Sequence, residues 1–211
     1  MKLSATVLTI LVGTSCASAA DVDFVDLRLG AGALSNSFMA SSNTEVSNGN
    51  ASWSTTDGRD ADKNYRGQLQ LVHGSLGSAG GLITGIGIAL NHARFSGGGE
   101  SATVNTPTID VMVGYGLAVT QAWHFELTPF AGYGRAYSGN STANDWTSYV
   151  EYGARLGTYY TFSGHSQLGI EVPYLIGRFD PSYSHGNGSY NVRDDGRNEG
   201  LGMLVTIGTR F

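Results

Sequence analysis

The sequence is short of most features that hold a compact, water-soluble enzyme together. Only 14% of its 211 residues are charged, prolines number 4, and Cys16 is its single cysteine. One cysteine cannot close an intrachain disulfide, so a disulfide framework is excluded. The net charge is -5 and no basic block occurs, which argues against nucleic acid as a partner. Past the first twenty residues, no apolar run approaches the ~18 residues that a membrane-crossing helix needs. A membrane stays open nonetheless, because a β-strand crosses with about ten residues of alternating character. No helical period, solenoid repeat or interdomain linker interrupts the chain.

What is present begins with a targeting pattern. Lys2 precedes an apolar run from Ala5 to Val12, and Ala17-Ser18-Ala19-Ala20 supplies small residues for cleavage. Residues 1–20 are therefore expected to be a secretory signal peptide, with the mature domain covering residues 21–211. Cys16 would leave with the signal. Its alternative use as an acylated lipoprotein cysteine is disfavoured, since Gly13 stands where such signals prefer Leu.

The mature chain alternates with a period of two, the mark of strands whose side chains point to opposite faces. The last stretch, Gly202 to Phe211, sets Met203, Val205, Ile207, Thr209 and Phe211 against Leu204, Thr206, Gly208 and Arg210. Seven earlier stretches behave likewise. They are Asp23 to Ala33, one around Tyr65 to Leu71, Leu82 to Asn91, Ile109 to Val119, Trp123 to Tyr133, Val150 to Tyr160, and Leu168 to Gly177. Polar tracts at Ser35 to Lys63, Ser96 to Thr106, Ser138 to Trp146 and Asp180 to Glu199 read as long loops. Short turns separate the others, at Gly74 to Gly81, Thr120 to Ala122 and Ser163 to Ser166. Long and short connections alternate, as they do when long loops face outside the cell and short turns the periplasm.

Face polarity separates a membrane barrel from a soluble one. One face is almost uniformly aliphatic or aromatic. The other collects Asp26, Arg28, Arg66, Gln68, Gln70, Asp110, Glu126, Glu151, Arg155 and Glu171, with most strand glycines. An apolar outer belt is favoured in hydrocarbon, so the charged face should line the inside. Trp123, Phe125, Tyr160, Phe162 and Phe211 fall next to short turns, while Tyr65 and Tyr137 fall near long loops, forming two interfacial girdles.

With its signal peptide, eight alternating strands, loop asymmetry and terminal Phe211, the chain resembles the small outer-membrane barrels of the OmpA/OmpX and opacity-protein type. The fold expected is all-β, an eight-stranded antiparallel up-and-down transmembrane β-barrel. The resemblance implies insertion by the barrel assembly machinery, which would read Phe211, and a cell outer-membrane location. The chain ends with its last strand, so no periplasmic peptidoglycan-binding domain is expected.

A barrel this narrow is normally filled by side chains. Inward glycines should leave room for Arg28, Arg66 and Arg155, and Glu126 and Glu171, on the strands either side of Arg155, should neutralise it. Arg94, Arg135 and Arg178 lie on the outward parity near the upper strand ends, where lipopolysaccharide phosphates would meet them. Catalysis is not expected. His73-Gly74-Ser75, His165-Ser166 and Ser184-His185 are isolated Ser/His neighbours without a converging third group. Asp60-x-Asp62-x-Asn64 starts like a calcium loop but lacks the later Gly and Glu, so neither metal nor cofactor is expected.

The function expected is non-enzymatic: a surface barrel displaying four loops for adhesion, an unknown extracellular partner or envelope integrity. A narrow channel or small-molecule transport route is the alternative, and a lipid-modifying enzyme a weaker one. Deleting Phe211 should sharply reduce the amount of protein whose gel mobility shifts on heating, because assembly fails. Undiminished heat-modifiable protein would remove the assembly role of that residue.

Overall fold

A computed structural model describes residues 21–46, 52–60, 62–77, 79–97, 100–138, 146–162, 165–180, 182–183 and 190–211. The expected signal peptide, Cys16 and the Ser184-His185 pair lie outside them. Ten strands form one antiparallel sheet. They are β1 (Val22–Val46), β2 (Ser52–Asp60), β3 (Lys63–Gly77), β4 (Gly80–Gly97), β5 (Glu100–Ala118), β6 (Trp123–Ser138), β7 (Trp146–Phe162), β8 (Ser166–Asp180), β9 (Ser182–Tyr183) and β10 (Tyr190–Arg210). Eight of these make the wall, in the order β1-β3-β4-β5-β6-β7-β8-β10, and β10 pairs back onto β1 to close it. Closure satisfies every wall strand on both edges, which hydrocarbon requires of a spanning sheet.

The side-chain alternation follows the sequence pattern. Leu27, Leu29, Ile86, Ile88, Ile109, Val111, Val113, Met203, Val205 and Ile207 face outward and are exposed, while Asp26, Arg28, Arg66, Glu126, Glu151, Arg155 and Glu171 are buried inside. In water this arrangement would be inverted, so the outer wall is read as lipid-facing.

The polar tracts depart from expectation. Ser35 to Lys63 is for the most part strand, since β1 runs to Val46 and pairs with β2 on one edge and with β10 on the other. The tract from Asp180 to Glu199 likewise contains the upper half of β10. Between Ser96 and Thr106, β4 and β5 stay paired up to Gly97↔Glu100. The physical reason is that these hairpins rise above the membrane. Beyond hydrocarbon no apolar alternation is required, although backbone pairing continues. A spanning strand needs about 9–11 residues, whereas β1 has 25 and β10 has 21.

The lower end also differs from expectation. β3 and β4 continue through the stretch read as a turn at Gly74 to Gly81, pairing as far as Gly77↔Gly80, and Gly80 has φ 95°. That left-handed conformation favours glycine. The extra length carries Leu76 and Ile83 inward to join Phe24 and Val72 in an apolar cluster at the short-turn end of the tube.

Candidate functional site

The lumen is built of stacked layers of side chains drawn from strands far apart in the chain. In the lower layer Arg28 on β1 reaches across to β6. Its Nη1 and Nη2 donate to the two Glu126 oxygens at 2.9 and 2.7 Å, Nη2 also donates to Asp26 at 2.8 Å, and Nε donates to Gln167 at 3.0 Å. Asp26 further accepts from Arg210 Nε at 2.9 Å and from Gln167 Nε2 at 2.8 Å. His124 Nε2 lies 2.9 Å from Glu126. Aromatic rings complete the layer, with Tyr159 under the Arg28 guanidinium at 3.8 Å and Phe24 under that of Arg210 at 4.1 Å. Bidentate and ring-stacked contacts of this kind suit guanidinium rather than ammonium.

In the upper layer Arg66 on β3 donates to Asp110 at 2.7 Å and to Asn91 at 3.0 Å, and lies 2.8 Å from Glu151. Asn91 donates to Glu151 at 3.0 Å. Between the layers Glu171 accepts from Gln68 at 2.6 Å and from Thr206 at 3.1 Å. Phe130 separates two cations, with Arg155 at 4.7 Å and Arg66 at 5.7 Å from its centroid.

Arg155 is the loosest member. Its Nε is 3.5 Å from Glu171 and its Nη2 is 3.9 Å from Asp110, while Arg155 Nε and Nη2 and Asp110 Oδ1 make no hydrogen bond. The expectation that Glu126 and Glu171 jointly neutralise Arg155 is thus half corrected. Glu171 is its neighbour, but Glu126 belongs to Arg28. Strand adjacency governed the expectation, whereas in so narrow a tube a long side chain spans the lumen.

Some inward glycines make room for rings, and others for neighbouring backbone or for Gln68, Leu76 and Asp110. A Cβ on Gly74 would overlap the Phe24 ring, one on Gly157 would lie 2.6 Å from Tyr159, and one on Gly177 would overlap Tyr149. Sequence reasoning passed over Arg210, Gln167, Tyr149 and Tyr159 as network members. Their inward parity was legible, and only their partners were hidden.

On the outside, Arg94, Arg135 and Arg178 are exposed near the upper strand ends. They do not converge, since they lie on β4, β6 and β8. The register sets Lys63 opposite Arg94 and Arg197 opposite Arg178, and Arg197 donates to Glu199 at 2.7 Å. At the other end Trp123 packs on Phe125 and Tyr160 on Phe162, with centroids 5.2 and 4.8 Å apart. Phe211 is 76% exposed beside this lower girdle, and its amide donates to Val25 at 2.9 Å. The Ser/His neighbours form no constellation. His73 and Ser75 face outward on β3, and His165 Nδ1 lies 3.3 Å from the Arg210 carbonyl. Among the described residues, no three His, Cys, Asp or Glu side chains cluster as metal ligands.

No protein-family model matches the chain, and no curated protein is similar to it. Among solved structures, the outer membrane protein OprG from Pseudomonas aeruginosa superposes with a TM-score of 0.53 over 92% of this chain and 98% of that one, at 11% identity. The chain has the fold of a small outer-membrane β-barrel. Neisserial surface protein A aligns to the barrel at 12% identity over 85% of this chain and 96% of that one, TM-score 0.43. Ail, the attachment invasion locus protein of Yersinia pestis, aligns at 13% identity over 88% and 98%, TM-score 0.35.

Because Arg28 serves two carboxylates at short range and Arg155 serves its own loosely, the two should differ in weight. Arg28→Met should lower unfolding stability by about 3–5 kcal/mol, as expected when buried charges lose their partner. Arg155→Met should cost about 1 kcal/mol. Urea unfolding in lipid vesicles measures both, and equal losses would contradict the layered pairing.

Proposed function

We propose that the protein is a non-enzymatic barrel of the outer membrane, whose work is done by the surface it presents outside the cell. The observation carrying this reading is the filled lumen. Arg28, Arg66, Arg155, Glu151 and Glu171 are each no more than 1% exposed, and Phe24, Val72, Leu76 and Ile83 add an apolar plug at the short-turn end. A lumen filled in this way among the described residues argues against an aqueous path. Its other distinctive feature is the rise of β1, β2 and β10 beyond the length that a membrane needs, which supports presentation to an extracellular partner. Export through a cleaved signal peptide and insertion by the barrel assembly machinery belong to the same reading. Lipopolysaccharide is the surrounding lipid it expects at the upper rim.

Transport is the second reading, and one observation favours it. The ladder between β5 and β6 runs Val104↔Ser138 and Asn105↔Tyr137, then resumes only at Thr108↔Gly134, so it is interrupted at Pro107. Proline cannot donate to a ladder. Inside that interruption, however, Thr106, Thr108 and Ala136 are buried at 3–5% exposure. Purified protein in planar bilayers should therefore give no discrete conductance steps, and vesicles carrying it should take up small solutes no faster than empty vesicles. Steps or accelerated uptake would replace the scaffold reading with transport.

A further inference from the structure

The outer wall of the barrel is not uniform. Between β1 and β6 it carries a groove of about 860 Å³, lined by residues that include Leu29, Gly67, Leu90, Pro107, Tyr133 and Arg135. Register places Gly67, Leu90, Pro107 and Arg135 on one row across four strands, with Leu69, Ile88, Ile109 and Tyr133 on the row below. Gly67 makes a notch in this wall. A Cβ there would meet nothing within 4 Å, unlike the inward glycines, whose Cβ positions lie against side chains or backbone. Space for a lumen side chain cannot explain Gly67, because it faces outward.

The groove is apolar below and cationic above. Arg135 stands in its lining. Four residues farther up β3 and β4, about 13 Å along the strands, Lys63 and Arg94 face each other as register partners, both exposed. Like charges directly opposite one another on a sheet are unfavourable unless an anion answers them. Asp62, the nearest carboxylate in sequence, makes no ion pair with either among the described residues, and no other outward acid lies on the described rows of β3 to β6.

We propose that this wall is a binding site for one multiply acylated, bisphosphorylated glycolipid of the outer leaflet, with chains in the groove across Gly67 and phosphates at Arg135 and at the Lys63–Arg94 pair. Two arguments select that occupant over an ordinary phospholipid. Three cations in two separated positions exceed what one phosphodiester charge requires. The lining also spans five adjacent strands, roughly 19 Å across the sheet, which suits several chains on one head better than two. Arginine contributes forked donors to phosphate, and the apolar wall supplies nonspecific affinity for chains.

The proposal rests on the membrane reading above, and its test separates the two. Folded protein in detergent is titrated with bisphosphorylated lipid A, monophosphorylated lipid A, phosphatidylglycerol and inorganic phosphate, and bound species are counted by native mass spectrometry. Bisphosphorylated lipid A should bind one per barrel and more tightly than the other three. Gly67→Leu fills the notch without meeting a neighbour at its Cβ, so the barrel should keep its heat-dependent gel shift and lose roughly tenfold or more in affinity. Arg135→Gln should lose a similar factor, about that of one charge-assisted contact. Arg197→Gln, outside the groove and paired with Glu199, should change nothing. If Gly67→Leu and Arg135→Gln leave binding intact, or Arg197→Gln weakens it equally, the site is overturned in favour of general rim attraction. Equal binding of phosphatidylglycerol would overturn the choice of occupant. Loss of the heat-dependent shift in the unaltered protein would instead remove the barrel reading beneath it.

Discussion

The structure depends on one constraint: charge placed inside a closed tube must find its partner across the lumen. Among the described residues, Arg28, Arg66, Arg155 and Arg210 are buried with Asp26, Asp110, Glu126, Glu151 and Glu171. Each isolated ion would cost several kcal/mol to remove from water. Pairing offsets that cost only if opposite walls are held in register, so the Arg28–Glu126 contact ties β1 to β6 as a cross-brace. The hydrogen-bonded wall sets the diameter, and the braces fill it. Glycines beneath Phe24, Tyr149 and Tyr159 let rings lie between the charges, with Tyr159 and Phe24 stacked on the Arg28 and Arg210 guanidiniums.

The same constraint explains what could be read from the sequence. Where hydrocarbon surrounds the wall, only apolar side chains are tolerated outside, so the faces of Leu168–Gly177 or Ile109–Val119 follow from alternation alone. Where water lies on both sides, nothing enforces a pattern. The upper halves of β1 and β10 therefore looked like loops although their backbones pair residue by residue. Inward parity identified Arg28, Glu126 and Arg155, while partner choice did not follow. Adjacent strands suggested Glu126 for Arg155, but the reach of a long side chain across a narrow tube joined Glu126 to a strand ninety-eight positions away in sequence. Gly67 illustrates the opposite case, since in sequence it is one strand glycine among many, and only its outward direction distinguishes it.

On the proposed reading, a barrel braced in this way does its work outside. Its exterior offers strands longer than a membrane crossing needs and a wall whose groove holds Gly67 and Arg135, with Lys63 and Arg94 farther up the strands. On the same proposed reading, lipid contact and surface presentation belong to separate parts of one barrel, the first to the wall of β3 to β6 and the second to the β2-β1-β10 extension. OprG superposes on the barrel at only 11% identity, so the fold does not dictate what those exterior parts contact.

The cross-lumen brace can be measured directly by a double-mutant cycle on Arg28→Met and Glu126→Gln, with unfolding free energies taken in lipid vesicles. If the tube is held by paired charge, the double variant should lose less than the sum of the single losses, with a coupling of roughly 2–3 kcal/mol. Strict additivity would mean that the two residues do not act together, and would contradict the account of how the lumen is filled and sealed.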